Sequence, residues 1–280
     1  MHLATNVYPW TTFYRRENRD WNADLDTGLA EVAATGVSGF EPVGQSPDQI
    51  RDLGALLRKH GLEMRSLYVN SKLHDPADAP ASIDAALAIA DAAAPLGCRF
   101  VVTNPSPIRW GGGEDKTDAQ LVEQAKNLDR LGAELRKRGL ALAYHNHDAE
   151  LRRGGREFHH MLAATDPEHV KFCLDAHWVF RGCGDSEVAV FDAVRLYGDR
   201  VVELHLRQSA GGVWTEAFDG AGDIDYGRLA AALAERKILP HLVLEQAVEE
   251  KSPRTLDAVA AHRIGQANAR QTFAIFEPIQ

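Results

Sequence analysis

The chain has 280 residues, of which 45% are hydrophobic and 25% charged, and its formal net charge is −9. That length buries a large core, and the composition excludes disordered and fibrous classes. The negative field opposes phosphate backbones, so nucleic acid is not an expected partner.

The three cysteines, Cys98, Cys173 and Cys183, contain no CxxC pair. They argue against a disulfide framework and for a reducing compartment. The opening Met1-His2-Leu3-Ala4-Thr5-Asn6 has neither a basic nor an apolar leader region, and no stretch of about 18 apolar residues is evident. The expectation is a cytoplasmic protein without a membrane partner.

In chain order, strand-like and helix-like runs alternate. Leu3–Tyr8 reads as a strand and Leu25–Thr35 as a helix closed by Gly36; Gly39–Val43 and Pro47–His60 repeat the pair, ended by Gly61. Glu63–Asn70 is followed by the Ala-rich helix Ala81–Leu96, and Arg99–Thr103 by Asp118–Arg138. Leu140–His145, Glu157–Ala164, Val170–Asp175, Ser186–Tyr197 and Val201–Leu206 continue the series. Asp225–Arg236, Leu242–Glu245 and a helix near Thr255–Thr272 complete it. Glycines at helix ends and strand-like runs of period two set these boundaries. Eight strand–helix units in a chain of this length predict a (β/α)8 TIM barrel of class α/β, one domain over 1–280. A doubly wound open sheet would carry a glycine-rich first turn. Here that turn is Tyr8-Pro9-Trp10-Thr11-Thr12.

Catalytic groups of such barrels project from the C-terminal ends of the strands, and strand residues alternate between interior and helix layer. Val202, Leu204 and Leu206 are expected outside, so Glu203 and His205 point inward. By the same parity Asp175, His177, Glu245, His145 and His147 face in, with Glu41 on the second strand and Glu150 in the loop after the fifth. Several buried carboxylates together are costly without a cation. Mixed Asp, Glu and His donors without cysteine suit a hard or borderline divalent ion.

The segments Tyr144-His145-Asn146-His147-Asp148-Ala149-Glu150, Leu174-Asp175-Ala176-His177-Trp178, Arg200–Arg207, Gly220–Tyr226 and Leu242–Gln246 follow one another in a recognisable order. Together they resemble the sugar phosphate isomerase/epimerase superfamily of xylose isomerase-like barrels. The resemblance implies metal ligands Asp175, His205 and Glu245, with Glu150 as fourth ligand and His145 as acid/base group or alternate ligand. It implies one divalent ion, Mn2+ first, with Mg2+, Co2+, Fe2+ and Zn2+ as alternatives. It also implies an isomerase or epimerase of a keto-sugar or polyol, with His145, His147 and Glu245 moving protons. The alternatives are a lyase or hydrolase acting on a 3-keto-glycoside or keto-cyclitol, and a sugar-binding barrel without turnover. Glu41, His177, Trp178, Arg207 and Trp214 are the expected substrate contacts. Arg207-Gln208-Ser209 departs from the Lys-Asp common there, and the acidic run Glu245–Glu250 favours a non-phosphorylated sugar or cyclitol. Nothing in the sequence excludes a homo-oligomer.

Overall fold

The computed structural model describes residues 1–277. Its barrel strands are β1 (Leu3–Asn6), β2 (Gly39–Glu41, continued past Pro42 by Val43–Gly44), β3 (Ser66–Val69) and β4 (Phe100–Thr103). The other four are β5 (Ala141–His145), β6 (Val170–Asp175), β7 (Val201–Leu206) and β8 (His241–Leu244). Each pairs in parallel with its neighbours, and β8 returns to β1, so the sheet wraps round as a (β/α)8 barrel. A short antiparallel hairpin, Ser209–Ala210 with Val213–Trp214, follows β7.

The helices are α1 (Val7–Arg16), α2 (Leu25–Ala34), α3 (Pro47–Lys59), α4 (Ala79–Ala93) and α5 (Asp118–Lys137), then α6 (Asp148–Ala164), α7 (Ala176–Gly182), α8 (Glu187–Tyr197), α9 (Tyr226–Glu235) and α10 (Ala258–Thr272). Outward strand residues such as Leu142, Phe172, Leu174, Leu204 and Leu206 join the helix faces in one core. That burial is the main driving force of the fold.

Three local features differ from the sequence expectation. The first strand ends at Asn6, whose side chain accepts from the Tyr8 amide and caps α1. Pro9 is tolerated in that first turn because its missing N–H has no intrahelical partner to lose. In α6, Arg153, Gly154 and Gly155 have φ of 55°, 72° and 71°, so the element is two helical pieces joined by a left-handed kink. A bulge lies where β6 meets β7. Phe172 pairs with Val201 and Cys173 with Glu203, and the skipped Val202 packs on the inner cluster of Val102, Ala143 and Cys173 instead of facing out.

The segment Ala79–Leu96 is long and apolar enough to cross a membrane by length and composition, which corrects the sequence reading. Its Ile83, Ala86, Ala90 and Ala93 are buried in the barrel's core.

Candidate active site

Register decides which polar groups meet. Asp175 lies opposite His205 across β6 and β7, and His145 lies opposite Cys173 across β5 and β6. Glu245 follows the last residue of β8, and its amide donates to Leu206 O at 2.9 Å. One ligand atom each from His145, Asp175, His205 and Glu245 lies within 4.8 Å of the others, and all four residues are buried.

Each is held by its own element. Asp175 ends β6 and caps α7, accepting from the Trp178 amide through Oδ1 at 2.8 Å. Its Oδ2 is buried with no hydrogen-bond partner. The Asn146 side chain exchanges two hydrogen bonds of 3.1 Å with the Asp175 backbone, which locks the ends of β5 and β6 together. His205 Nδ1 is in direct contact with Glu245 Oε2. Arg207 lies fully buried beside them, its Nη2 2.9 Å from Glu245 Oε1 and 3.9 Å from Asp175 Oδ2. Its guanidinium is sandwiched near Trp214 at 4.4 Å and Trp178 at 4.8 Å.

The electrostatics follow from burial. Asp175 is pushed up to about 6 by desolvation, against the pull of Arg207. Glu41 rises to about 7, through desolvation first and repulsion from Glu203 second. His145 is driven well below its ordinary value by burial and by His147 and His205, and His147 falls to about 4 by burial. His145 is thus a neutral imidazole, as a cation needs, whereas His205 is raised well above its ordinary value, the lowering by burial being outweighed by Cys173, Glu41 and Glu245, so it carries the positive charge that an ion would replace. A buried carboxylate oxygen without a partner, two carboxylates and two imidazoles converging on one point fit a divalent ion.

A cavity of about 690 Å³ opens above this group, within the range of small-molecule sites. Glu41, His145, His147, Trp178, His205 and Glu245 reach its wall, as do Tyr8, Tyr68, Trp110 and Arg152. Other expected contacts sit elsewhere. His177 is buried against Ser209 Oγ at 2.9 Å, and Trp214 and Arg207 form a buried stack behind the wall. Arg181 pairs with Glu249 at 3.1 Å.

Glu150 also departs from expectation. Its Oε2 accepts from the His147 amide at 2.7 Å, turning back onto the start of α6. It is absent from the four-residue group, whereas His145 is in it. The physical reason is position: Glu150 is the third residue of a helix capped by His147, where the free backbone N–H groups compete for its carboxylate.

Strand parity put Glu203 inside the barrel without giving it a partner. The structure places its buried carboxylate beside His205 and His241. Arg152 reaches the cavity from the break in α6, for which strand periodicity carries no signal.

Comparison with known proteins agrees with this architecture. The rhizopine catabolism protein MocC of Rhizobium meliloti is 27% identical over 227 residues, covering 78% of this chain and 67% of that protein. A sugar phosphate isomerase/epimerase from Parabacteroides distasonis ATCC 8503 superposes with a TM-score of 0.75 at 19% identity, over 98% of this chain and 94% of that one. The IOLI protein, solved with a zinc atom, gives 0.72 at 18% identity over the whole of both chains. The model of the xylose isomerase-like TIM barrel family matches residues 29–266, most of the chain, and the protein therefore belongs to that family.

Proposed function

We propose that the protein is a divalent-metal-dependent isomerase or epimerase of a keto-sugar or related polyol. The ion is held by His145, Asp175, His205 and Glu245, and Mn2+ is the first candidate. The observation that carries this reading is the convergence of those four buried ligand atoms at the foot of the cavity. A divalent ion there supplies a Lewis acid for a substrate carbonyl and its neighbouring hydroxyl.

The chain's own residues do the rest. His147 and Glu41 approach the cavity from the ends of β5 and β2; His147 Nδ1 has no hydrogen-bond partner, and Glu41 Oε1 stands 3.3 Å from His205 Nε2. His147, neutral at pH 7, accepts the proton from the carbon next to the carbonyl, and Glu41 exchanges a proton on the other side. Return of the proton to the opposite face of the same carbon inverts it, and return to the next carbon isomerises the sugar. Tyr8, Trp110 and Trp178 form an apolar wall against which a ring packs.

The two arginines of the cavity wall are already engaged. Arg109 pairs with Glu114 at 2.8 Å, and Arg152 donates to Gly112 O at 2.8 Å and pairs with Asp115 at 3.1 Å. This favours a non-phosphorylated substrate.

A second reading has its own support. The cavity runs outward from the ligand group to Pro107, Trp110, Gly111 and Gly112, leaving room for a leaving group. The same proton abstraction followed by loss of a β-substituent makes the protein a lyase of a 3-keto-glycoside or a keto-cyclitol. Incubation of Mn2+-loaded protein with keto-sugars, keto-cyclitols and 3-keto-glycosides in D2O, followed by NMR, tests both. Deuterium in a rearranged sugar supports the isomerase, a released alcohol or water the lyase, and no exchange with any of them contradicts turnover.

A further inference from the structure

The interior of a (β/α)8 barrel is ordinarily filled by branched apolar side chains. Here one layer below the candidate metal group holds a buried polar chain instead. Cys173, Glu203 and His241 face one another directly across β6, β7 and β8. Glu203 is fully buried, yet three donors surround it: His241 Nδ1 at 2.8 Å, His205 Nε2 at 3.3 Å and Cys173 Sγ at 3.5 Å. His241 Nε2 is in turn 3.0 Å from His2 Nδ1, at the opposite end of the barrel from the cavity. The hydrogen-bond directions follow from chemistry. An ionised carboxylate only accepts, so His241 donates to Glu203 from Nδ1, and its Nε2 shares one hydrogen bond with His2 Nδ1. For the same reason His205 donates from Nε2, so the nitrogen left to hold a cation is Nδ1, which contacts Glu245 Oε2 and would give up its proton to the ion.

Burying a carboxylate this way is costly unless it is well partnered. Glu203 does not line the cavity and so cannot touch substrate. We propose that Glu203, itself oriented by His241 and His2, is a positioning residue that fixes the tautomer and ring orientation of His205 so that Nδ1 faces the ion. Glu41 also stands 3.3 Å from His205 Nε2, but it lines the cavity and has no histidine behind it to hold it. The inference rests on the reading of His205 as a metal ligand, and concerns the group that makes it one. A carboxylate or carbonyl accepting from the far nitrogen of a ligating histidine typically contributes 10–100-fold to metal affinity.

Calorimetric titration of the metal-free protein with Mn2+ tests the proposal, with selective 15N-histidine NMR of the Zn2+-loaded protein as a second readout. Glu203→Gln is expected to weaken Mn2+ binding about 10–100-fold and to lose the single Nε2-protonated signal of His205. If His205→Ala abolishes binding while Glu203→Gln matches wild type in affinity and His205 signal, the positioning role is overturned and the ligand reading stands. Wild-type affinity in His205→Ala overturns both. Should Glu203→Gln fail to fold, the His241 pair decides. His241→Leu removes the donor to Glu203 and should weaken Mn2+ binding several-fold, whereas His241→Gln keeps an N–H there and should restore it. Equal affinities in those two variants contradict the proposal.

Discussion

Exchanging the roles of Glu150 and His145 gives opposite outcomes, so this pair of residues offers a sharp prediction. Glu150 accepts from the His147 amide at 2.7 Å and is pushed up to about 7, by burial first and by repulsion from Glu157 second. Glu150→Ala removes a cap and should cost about 1 kcal/mol, a fall in Tm of a few degrees at most for a chain of this size. Glu150→Gln keeps an acceptor for the same N–H and loses the repulsion from Glu157, so its Tm should stay close to wild type. Neither change touches the four-residue group, and Mn2+ affinity should hold within about twofold, well inside the 10–100-fold of an outer-partner loss. His145→Ala removes a ligand itself and should exceed that loss. Calorimetric titration and elemental analysis of dialysed protein read both effects. Loss of the ion in Glu150→Gln with retention in His145→Ala would refute the assignment.

Other outcomes follow from the same geometry. Asp175→Asn and His205→Ala should each lose the ion and nearly all turnover with circular dichroism unchanged; retained metal in both variants would remove the site. Mn2+ at about 100 times its Kd should stabilise the fold by about 2.7 kcal/mol, seen as a rise in Tm that EDTA reverses. His262, buried against Trp10 at 4.2 Å, is held down to about 4 by burial. An unfolded imidazole protonates near 6.5, so this contribution is complete above that pH and is lost as pH falls toward 4, by about 3 kcal/mol. A His262→Phe variant should therefore show a shallower loss of urea stability between roughly pH 7 and pH 4.5, and an unchanged slope would contradict the cause. Trp110, 55% exposed and edge-on to His147 at 5.5 Å, closes the outer cavity. Trp110→Ala should raise KM more than it lowers kcat, as steady-state kinetics would show.

Much of the barrel is legible because its strands are short apolar runs and the helices α2, α3, α4 and α5 are followed by Gly36, Gly61, Gly97 and Gly139. Period-two alternation sends Asp175, His205 and Glu245 inward, and the structure gathers those three with His145. The first helix was hidden because Pro9 and two threonines read as a turn, while Asn6 supplies the cap. Glu150 stands outside the four-residue group for a physical reason that the spacing itself contains. His147 and Glu150 stand at cap and third helical position, where a carboxylate turns back to the backbone. Trp214, Arg207 and His177 are near the mouth in sequence, but the hairpin after β7 folds them into a buried stack behind the wall. No periodicity reports a contact of that kind.

The central claim is a single divalent ion at the foot of the cavity, held by His145, Asp175, His205 and Glu245. Anomalous diffraction at the manganese edge from crystals grown with Mn2+ tests it directly. One strong peak bonded to those four side chains is the predicted result, and a peak bonded to Glu150 in place of His145, or no peak among the four, would contradict it.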